Sequence, residues 1–143
     1  EKLKLILVMK KMMLVKLEAA DIPRAGDWIE RACISFGLNN SEALKVKTCV
    51  VEAINNCVEH AYEGQVGNVT MSAWEENQQV KIEIIDEGRE PEIREPCSNS
   101  DELPDPYSER GRGLAIIRAW MDDLSMTRTG SSNVLCMSKR IQQ

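Results

Sequence analysis

Apolar and polar residues alternate from Met12 to Ala19, with Leu14, Lys16 and Glu18 out of phase with Val15, Leu17 and Ala19, which predicts a first strand. Asp21-Ile22-Pro23 then reads as a helix start, with the Asp as cap and the Pro in the first turn. Trp28, Ile29, Ala32, Cys33 and Phe36 follow at helical spacing, and Gly37 stands where that helix would end. Asn40-Ser41, with Glu42 and Leu44 behind it, suggests a second capped start. From Ser41 to about Tyr62 the pattern is helical: at about 100° per residue, Val46, Val50, Ala53, Ile54, Cys57, Val58 and Ala61 share one half. Thr48, Glu52, Asn55, Asn56 and Glu59 share the other, with His60 at the border and Lys47 misplaced on the apolar side.

Two alternating segments follow, Asn68 to Glu75 and Gln79 to Asp86, and the short Glu76-Asn77-Gln78 between them predicts a hairpin. Glu87 to Arg110 loses all periodicity and carries Pro91, Pro96, Pro104 and Pro106, and a loop of that length in a compact domain is functional or disordered. Helical spacing returns from Gly113 to about Met121, and a closing hairpin is expected from Asp123–Thr129 and Asn133–Ile141 around Gly130-Ser131-Ser132. The order is strand, two helices, paired strands, long loop, helix, paired strands. It predicts an α+β, two-layer sandwich: a mixed or antiparallel sheet with helices packed on one face.

A length of 143 residues fits one domain, and 43% hydrophobic residues are enough for one core. Aromatics are only 4%, so that core must rest on Leu, Ile, Val, Ala and Met. A net charge of -5 argues against direct nucleic-acid binding or a hold on anionic membrane, yet leaves room for a local basic site. The five cysteines, Cys33, Cys49, Cys57, Cys97 and Cys136, include no C-x-x-C pair and are expected to be reduced, small buried hydrophobes in the cytoplasm. Lys10-Lys11 interrupts the apolar Leu5-Ile6-Leu7-Val8-Met9 before a signal peptide or membrane span could form. The chain does not open on Met, as expected of a trimmed chain or a piece of a longer one.

Three polar signals stand out. Glu52 and Asn56 are four apart, so a helix stacks them one turn apart on one face. There the amide can take a hard cation while the carboxylate orients or deprotonates a nucleophile. Asp86-Glu87-Gly88 ends a strand with an acid able to accept an exocyclic amine, followed by a Gly that lets a flat ligand approach the backbone. Arg110-Gly111-Arg112-Gly113-Leu114 precedes a predicted helix, whose N-terminus and arginines suit phosphate oxygens. Alone, a solvated helix face and an ordinary turn explain the first two better, a hinge explains the third equally well, and no Walker A sequence is present.

Their conjunction, order and spacing carry a resemblance. Glu52-Ala53-x-x-Asn56-x-x-x-His60-Ala61-Tyr62 looks like the N-box of the GHKL ATPases, Asp86-x-Gly88 like the next box, and Gly111-x-Gly113-Leu114 like the last. The form of the first box most closely resembles the anti-sigma-factor serine/threonine protein kinases of that histidine-kinase-like superfamily, over roughly Leu14 to Arg140. The resemblance implies a Bergerat-type ATP-binding fold over residues 1–143, with a lid at about 87–110, and implies ATP and Mg²⁺ as cofactors. On that pattern Glu52 is the general base toward a partner serine, Asn56 the Mg²⁺ ligand, and Asp86 the adenine acceptor with Gly88 permitting approach. Arg110, with Arg112 as substitute, meets the γ-phosphate beside the Gly111–Gly113 hinge and Leu114. His60 is expected to pack or hydrogen-bond near the lid.

The chain departs from the pattern at Arg89-Glu90-Pro91-Glu92-Ile93, where relatives commonly place Phe and an acid, and it lacks a small residue before Gly111 that some relatives insert. The implied partners are a STAS-type anti-anti-sigma protein, a sigma factor and a second copy of the chain, with Pro23–Phe36 and the first strand as contact surfaces. An ATP-dependent binding module without kinase activity carries the same motifs. A two-component histidine kinase fits less well, because no phospho-acceptor helix pair precedes the first box.

Overall fold

The computed structural model describes residues 10–62, 67–88 and 109–142, and of residues 60, 61 and 109–113 the backbone alone. Strand β1 (Lys11–Lys16) leads into helix α1 (Asp21–Phe36), helix α2 (Asn40–Asn56) and a π-helical turn over Cys57–Ala61. Strands β2 (Asn68–Glu76) and β3 (Gln79–Asp86) follow, then helix α3 (Glu109–Trp120) and strands β4 (Asp123–Thr129) and β5 (Ser132–Arg140). The strands form one sheet in the order β1-β2-β3-β5-β4, and every pairing is antiparallel. The α+β expectation holds, with the sheet antiparallel rather than mixed.

The alternation read in the sequence becomes one-sided burial. Val80, Ile82 and Ile84 of β3 line up with Val69, Met71 and Ala73 of β2 and Met137 of β5, all buried in a single apolar cluster. The helices close it with Ala25, Ile29, Ala32 and Cys33 of α1, Val46, Cys49, Val50, Ala53 and Ile54 of α2, and Ile117 of α3. Each fully buried aliphatic side chain contributes about 1.5–3 kcal/mol by leaving water, so this shared face holds the two layers together. Lys47, on the apolar half of α2, is accommodated by ion pairs across to α1, at 2.7 Å from Asp27 and 3.5 Å from Glu30.

Several element ends differ from expectation. Asp21 lies inside α1 rather than capping it, since Ala20 is the residue before the helix and offers no side-chain acceptor. The other end follows the sequence: Gly37 adopts φ 113, and the Gly37 and Leu38 N–H groups donate back to Ile34 and Cys33 at 3.0 Å, with Leu38 buried against the core. Helix α2 is capped one residue early, by Asn39, whose side chain accepts the Glu42 N–H at 2.8 Å. The helix expected to run unbroken to Tyr62 changes to π geometry after Asn56.

Helix α3 begins at Glu109, so Gly111 and Gly113 are its third and fifth residues and do not lie ahead of it. The first four N–H groups of a helix have no intrahelical partner in any case, and Glu and Arg favour helix, so Gly111 does not delay it. Among the described residues no helix is long and apolar enough to cross a membrane.

Candidate functional site

The end of α2 and the end of β3 meet. Glu52 and Asn56 project from the last turns of α2, both half-buried, over the buried Ala53 and Ile54. Among the described residues none hydrogen-bonds either side chain, which leaves a carboxylate and an amide oxygen with open acceptor capacity. One residue on, the Cys57 thiol donates to Asp86 Oδ2 at 3.4 Å. Burial pushes that thiol well above its ordinary range and the Asp86 carboxylate adds to the rise, so it remains an S–H donor.

Asp86 stands there because β3 keeps its phase: Val80, Ile82, Ile84 and Asp86 are the inward positions, and the acid is only 7% exposed. Its Oδ1 accepts the Gly88 N–H at 2.9 Å and the Asn133 Nδ2 amide at 2.7 Å. Among the described residues Oδ2 receives only the thiol, a weak donor, and so retains capacity for a strong N–H. The Gly88 carbonyl accepts from Arg128 Nη1 at 3.1 Å and from Asn133 Nδ2 at 3.3 Å, and Arg128 Nη1 also reaches Asn133 Oδ1 at 2.7 Å. The β4–β5 hairpin thereby pins the exit of β3.

The π turn completes the frame. The Tyr62 N–H donates to the Cys57 carbonyl, five residues back, at 3.0 Å. The Tyr62 hydroxyl then donates to the Asn68 carbonyl and accepts the Glu87 N–H, both at 2.8 Å. Helix end, β2 entry and β3 exit are joined through one phenol. Burial pushes its pKa up, while the Glu87 N–H works in the opposite direction. Gly67 admits the ring: a Cβ there would stand 2.6 Å from its carbons. Outside, the Glu87 carboxylate accepts the Ser132 hydroxyl at 2.7 Å and the Ser131 hydroxyl at 3.0 Å, and those bonds, with nearby Arg128, hold its pKa below the usual value.

The structure thus joins Asp86 to Gly88 and ties Asp86 to Cys57, the residue after Asn56, with Glu52 one turn further back on α2. Arg110, Gly111, Arg112 and Gly113 are the second to fifth residues of α3, with the arginine side chains outside the described residues, and Leu114 follows half-buried. Helix α3 lies against α2, where the Cys49 thiol sits 4.0 Å from the Ile116 carbonyl. Most of the 87–110 segment and the His60 side chain also fall outside the described residues. The sequence places Tyr62 in the first box and Ser131-Ser132 in a hairpin turn without pointing to these contacts, and it singles out neither Asn133 nor Arg128 for the site. One signal was available for Asn133, a polar residue in phase with Leu135 and Met137 on an inward strand face.

This geometry corresponds to known proteins. Residues 15–139 match the sequence model of the histidine kinase-like ATPase domain. The chain belongs to this family. Its similarity to the anti-sigma F factor of Caldanaerobacter subterraneus subsp. tengcongensis is 34% identity over 102 residues, covering 70% of this chain and 71% of that protein. The serine-protein kinase RsbW of Bacillus cereus is 28% identical over 119 residues, covering 77% of this chain and 70% of that one. Among solved structures, the RsbU and RsbW domains of a Mycobacterium tuberculosis protein superpose with a TM-score of 0.66 at 15% identity. That likeness spans 92% of this chain but 32% of the longer one. The catalytic domain of histidine kinase ThkA gives 0.54 at 13% identity, over 90% of this chain and 95% of that one. Both structural likenesses concern the fold.

For a histidine kinase-like ATPase domain the donor set is a fair fit to a purine nucleotide and a hard cation. Asp86 offers a buried acceptor at the rim of the core. Among the described residues no cluster of three or more His, Cys, Asp or Glu is arranged to hold a metal. Asn56 alone would serve a cation that draws its remaining oxygens from phosphate and water, as Mg²⁺ does.

Proposed function

We propose that this chain is an ATP-binding anti-sigma regulatory factor with protein serine kinase activity toward a STAS-type anti-anti-sigma partner, acting in the cytoplasm. The observation that supports this best is the meeting of α2 and β3, which sets Asp86, with one strong acceptor position open, beside the helix bearing Glu52 and Asn56. Relatives named anti-sigma F factor and serine-protein kinase RsbW point the same way.

In this reading Asp86 Oδ2 accepts the exocyclic amine of adenine, and Gly88 lets the base lie close to the backbone. Asn56 contributes its amide oxygen to Mg²⁺, which when bound offsets charge along the phosphate chain. Arg110, or Arg112 in its place, meets the γ-phosphate, with the Gly111–Gly113 turn and Leu114 on the phosphate side at the start of α3. Residues 87–110 form the lid of a single domain covering 1–143. Glu52 takes the proton of the partner's serine hydroxyl as its oxygen bonds the γ-phosphorus and ADP departs, so the residue's task is orientation and proton removal while charge neutralisation lowers the barrier. Exposed Met12 and Leu14 on β1 and Ile34 on α1 support protein contacts there, with a sigma factor or a second copy of the chain as occupants.

The test is incubation of the chain with ATP radiolabelled at the γ-phosphate and a purified STAS-domain protein. Label is expected on a serine of the partner and is expected to vanish with Glu52→Ala. ATP-dependent binding of the partner with no label would instead identify a switch module that does not transfer phosphate.

A further inference from the structure

We infer that Asn133 and Arg128 are positioning residues for purine recognition: Arg128 fixes which way the Asn133 amide points, and Asn133 fixes which oxygen of Asp86 is offered to the base. The inference rests on the reading of Asp86 as the acceptor of an exocyclic amine. An Asn side chain presents donors at one end and an acceptor at the other, whereas a guanidinium presents donors only. Arg128 Nη1 lies 2.7 Å from Asn133 Oδ1, so the carbonyl end faces Arg128 and the NH₂ end faces Asp86 Oδ1, at 2.7 Å, and the Gly88 carbonyl, at 3.3 Å. The reverse orientation would set an amide oxygen against a carboxylate oxygen and a carbonyl, in a site where Asn133 is only 5% exposed. It would also turn the NH₂ group toward a cation.

The consequence is a division of labour within one carboxylate. Oδ1 is filled by two N–H donors, from Gly88 and Asn133, which fixes the plane of the Asp86 carboxylate. Among the described residues Oδ2 meets only the Cys57 thiol, and a thiol is a poor competitor for a strong acceptor. A purine bearing an amine at the six position supplies the missing N–H, while one bearing a carbonyl there sets oxygen against oxygen. Arg128 sits outside this contact on the exposed edge strand, and acts through Asn133 and the Gly88 carbonyl.

The experiment compares the Kd of ATP and of inosine triphosphate, which replaces the amine by a carbonyl, measured by calorimetry on the wild-type chain, Asn133→Ala and Arg128→Lys. Asn133→Ala is expected to narrow the preference for ATP by about fivefold, equivalent to about 1 kcal/mol, by weakening ATP more than the inosine nucleotide. Arg128→Lys keeps a donor-only side chain and is expected to retain the preference. An unchanged preference in Asn133→Ala, with both nucleotides weakened alike, would reduce the network to a structural pin and overturn the inference. Should Asn133→Ala fail to fold, Arg128→Glu carries the same test, since an acceptor there favours the reversed amide and a narrowed preference, and an unchanged one refutes the proposal. A wild-type chain that binds neither nucleotide, or both equally, refutes the reading of Asp86 itself.

Discussion

Replacing Tyr62 by Phe removes one hydroxyl and leaves the ring, so it isolates the tie between helix end and sheet. The hydroxyl makes two hydrogen bonds of 2.8 Å, donating to the Asn68 carbonyl and accepting from the Glu87 N–H. A neutral hydrogen bond contributes about 0.5–1.5 kcal/mol net, and both backbone partners sit at exposed residues where water can replace the phenol, which places the combined loss at about 1–2 kcal/mol. No cavity term is added, because Phe fills the space beside Gly67 as Tyr does. For a chain of this size about 1 kcal/mol corresponds to about 3–5 °C in Tm, so a fall of about 3–10 °C is expected by calorimetry or circular dichroism. Gly67→Ala should give a loss in the same direction, since its Cβ would displace the ring. A Tyr62→Phe Tm within about 1 °C of wild type would show that the phenol does not join these elements, and the frame proposed around Asp86 would lose its outer support.

Other consequences are as direct. Glu87 has a lowered folded-state pKa, so its bonds to Ser131 and Ser132 contribute above the ordinary value of 4.5 and are lost as pH falls through the lowered one. In a Ser131→Ala, Ser132→Ala double variant the Glu87 carboxyl should titrate closer to 4.5 by NMR, and an unshifted titration would contradict the clamp. Burial pushes the Cys33 and Cys49 thiols up to about 12, so iodoacetamide at about pH 8 should leave both unmodified in the folded chain and alkylate both in urea. Native-state alkylation of either, read by peptide mass spectrometry, would count against the packing of α1 and α2. Ile54→Ala, at a fully buried position between Glu52 and Asn56, should cost about 2–5 kcal/mol in urea unfolding, and a cost under about 1 kcal/mol would place that side chain outside the core.

The strands were legible because one face of the sheet is buried, which forces a period of two on β2 and β3. The same parity marked Asp86 as an inward acid, the fourth buried position after Val80, Ile82 and Ile84. Helix α2 was legible as far as Asn56, since its apolar half is the core face. The π turn was not: Cys57, Val58 and Ala61 continue the helical stripe, and the phenol contacts that accompany the change of geometry lie at Asn68 and Glu87. Lys47 looked out of place because its partners, Asp27 and Glu30, belong to a different helix. Arg128 had no local signature, and Asn133 had only its phase with Leu135 and Met137, as its partner Asp86 lies 47 residues away in the chain. Capping differed by a residue at two helices: at α2 the backbone trajectory selects Asn39 over Asn40 and Ser41, and at α1 it places Ala20, with no side-chain acceptor, before the helix.

The central claim is that the junction of α2 and β3 receives ATP with magnesium. Calorimetric titration of ATP into the chain, with and without Mg²⁺, tests it most directly, for wild type beside Asn56→Ala. Saturable heat at one nucleotide per chain, tightened by Mg²⁺ in the wild type and not in the variant, is the expected result. Absence of heat from ATP under both conditions would contradict the account.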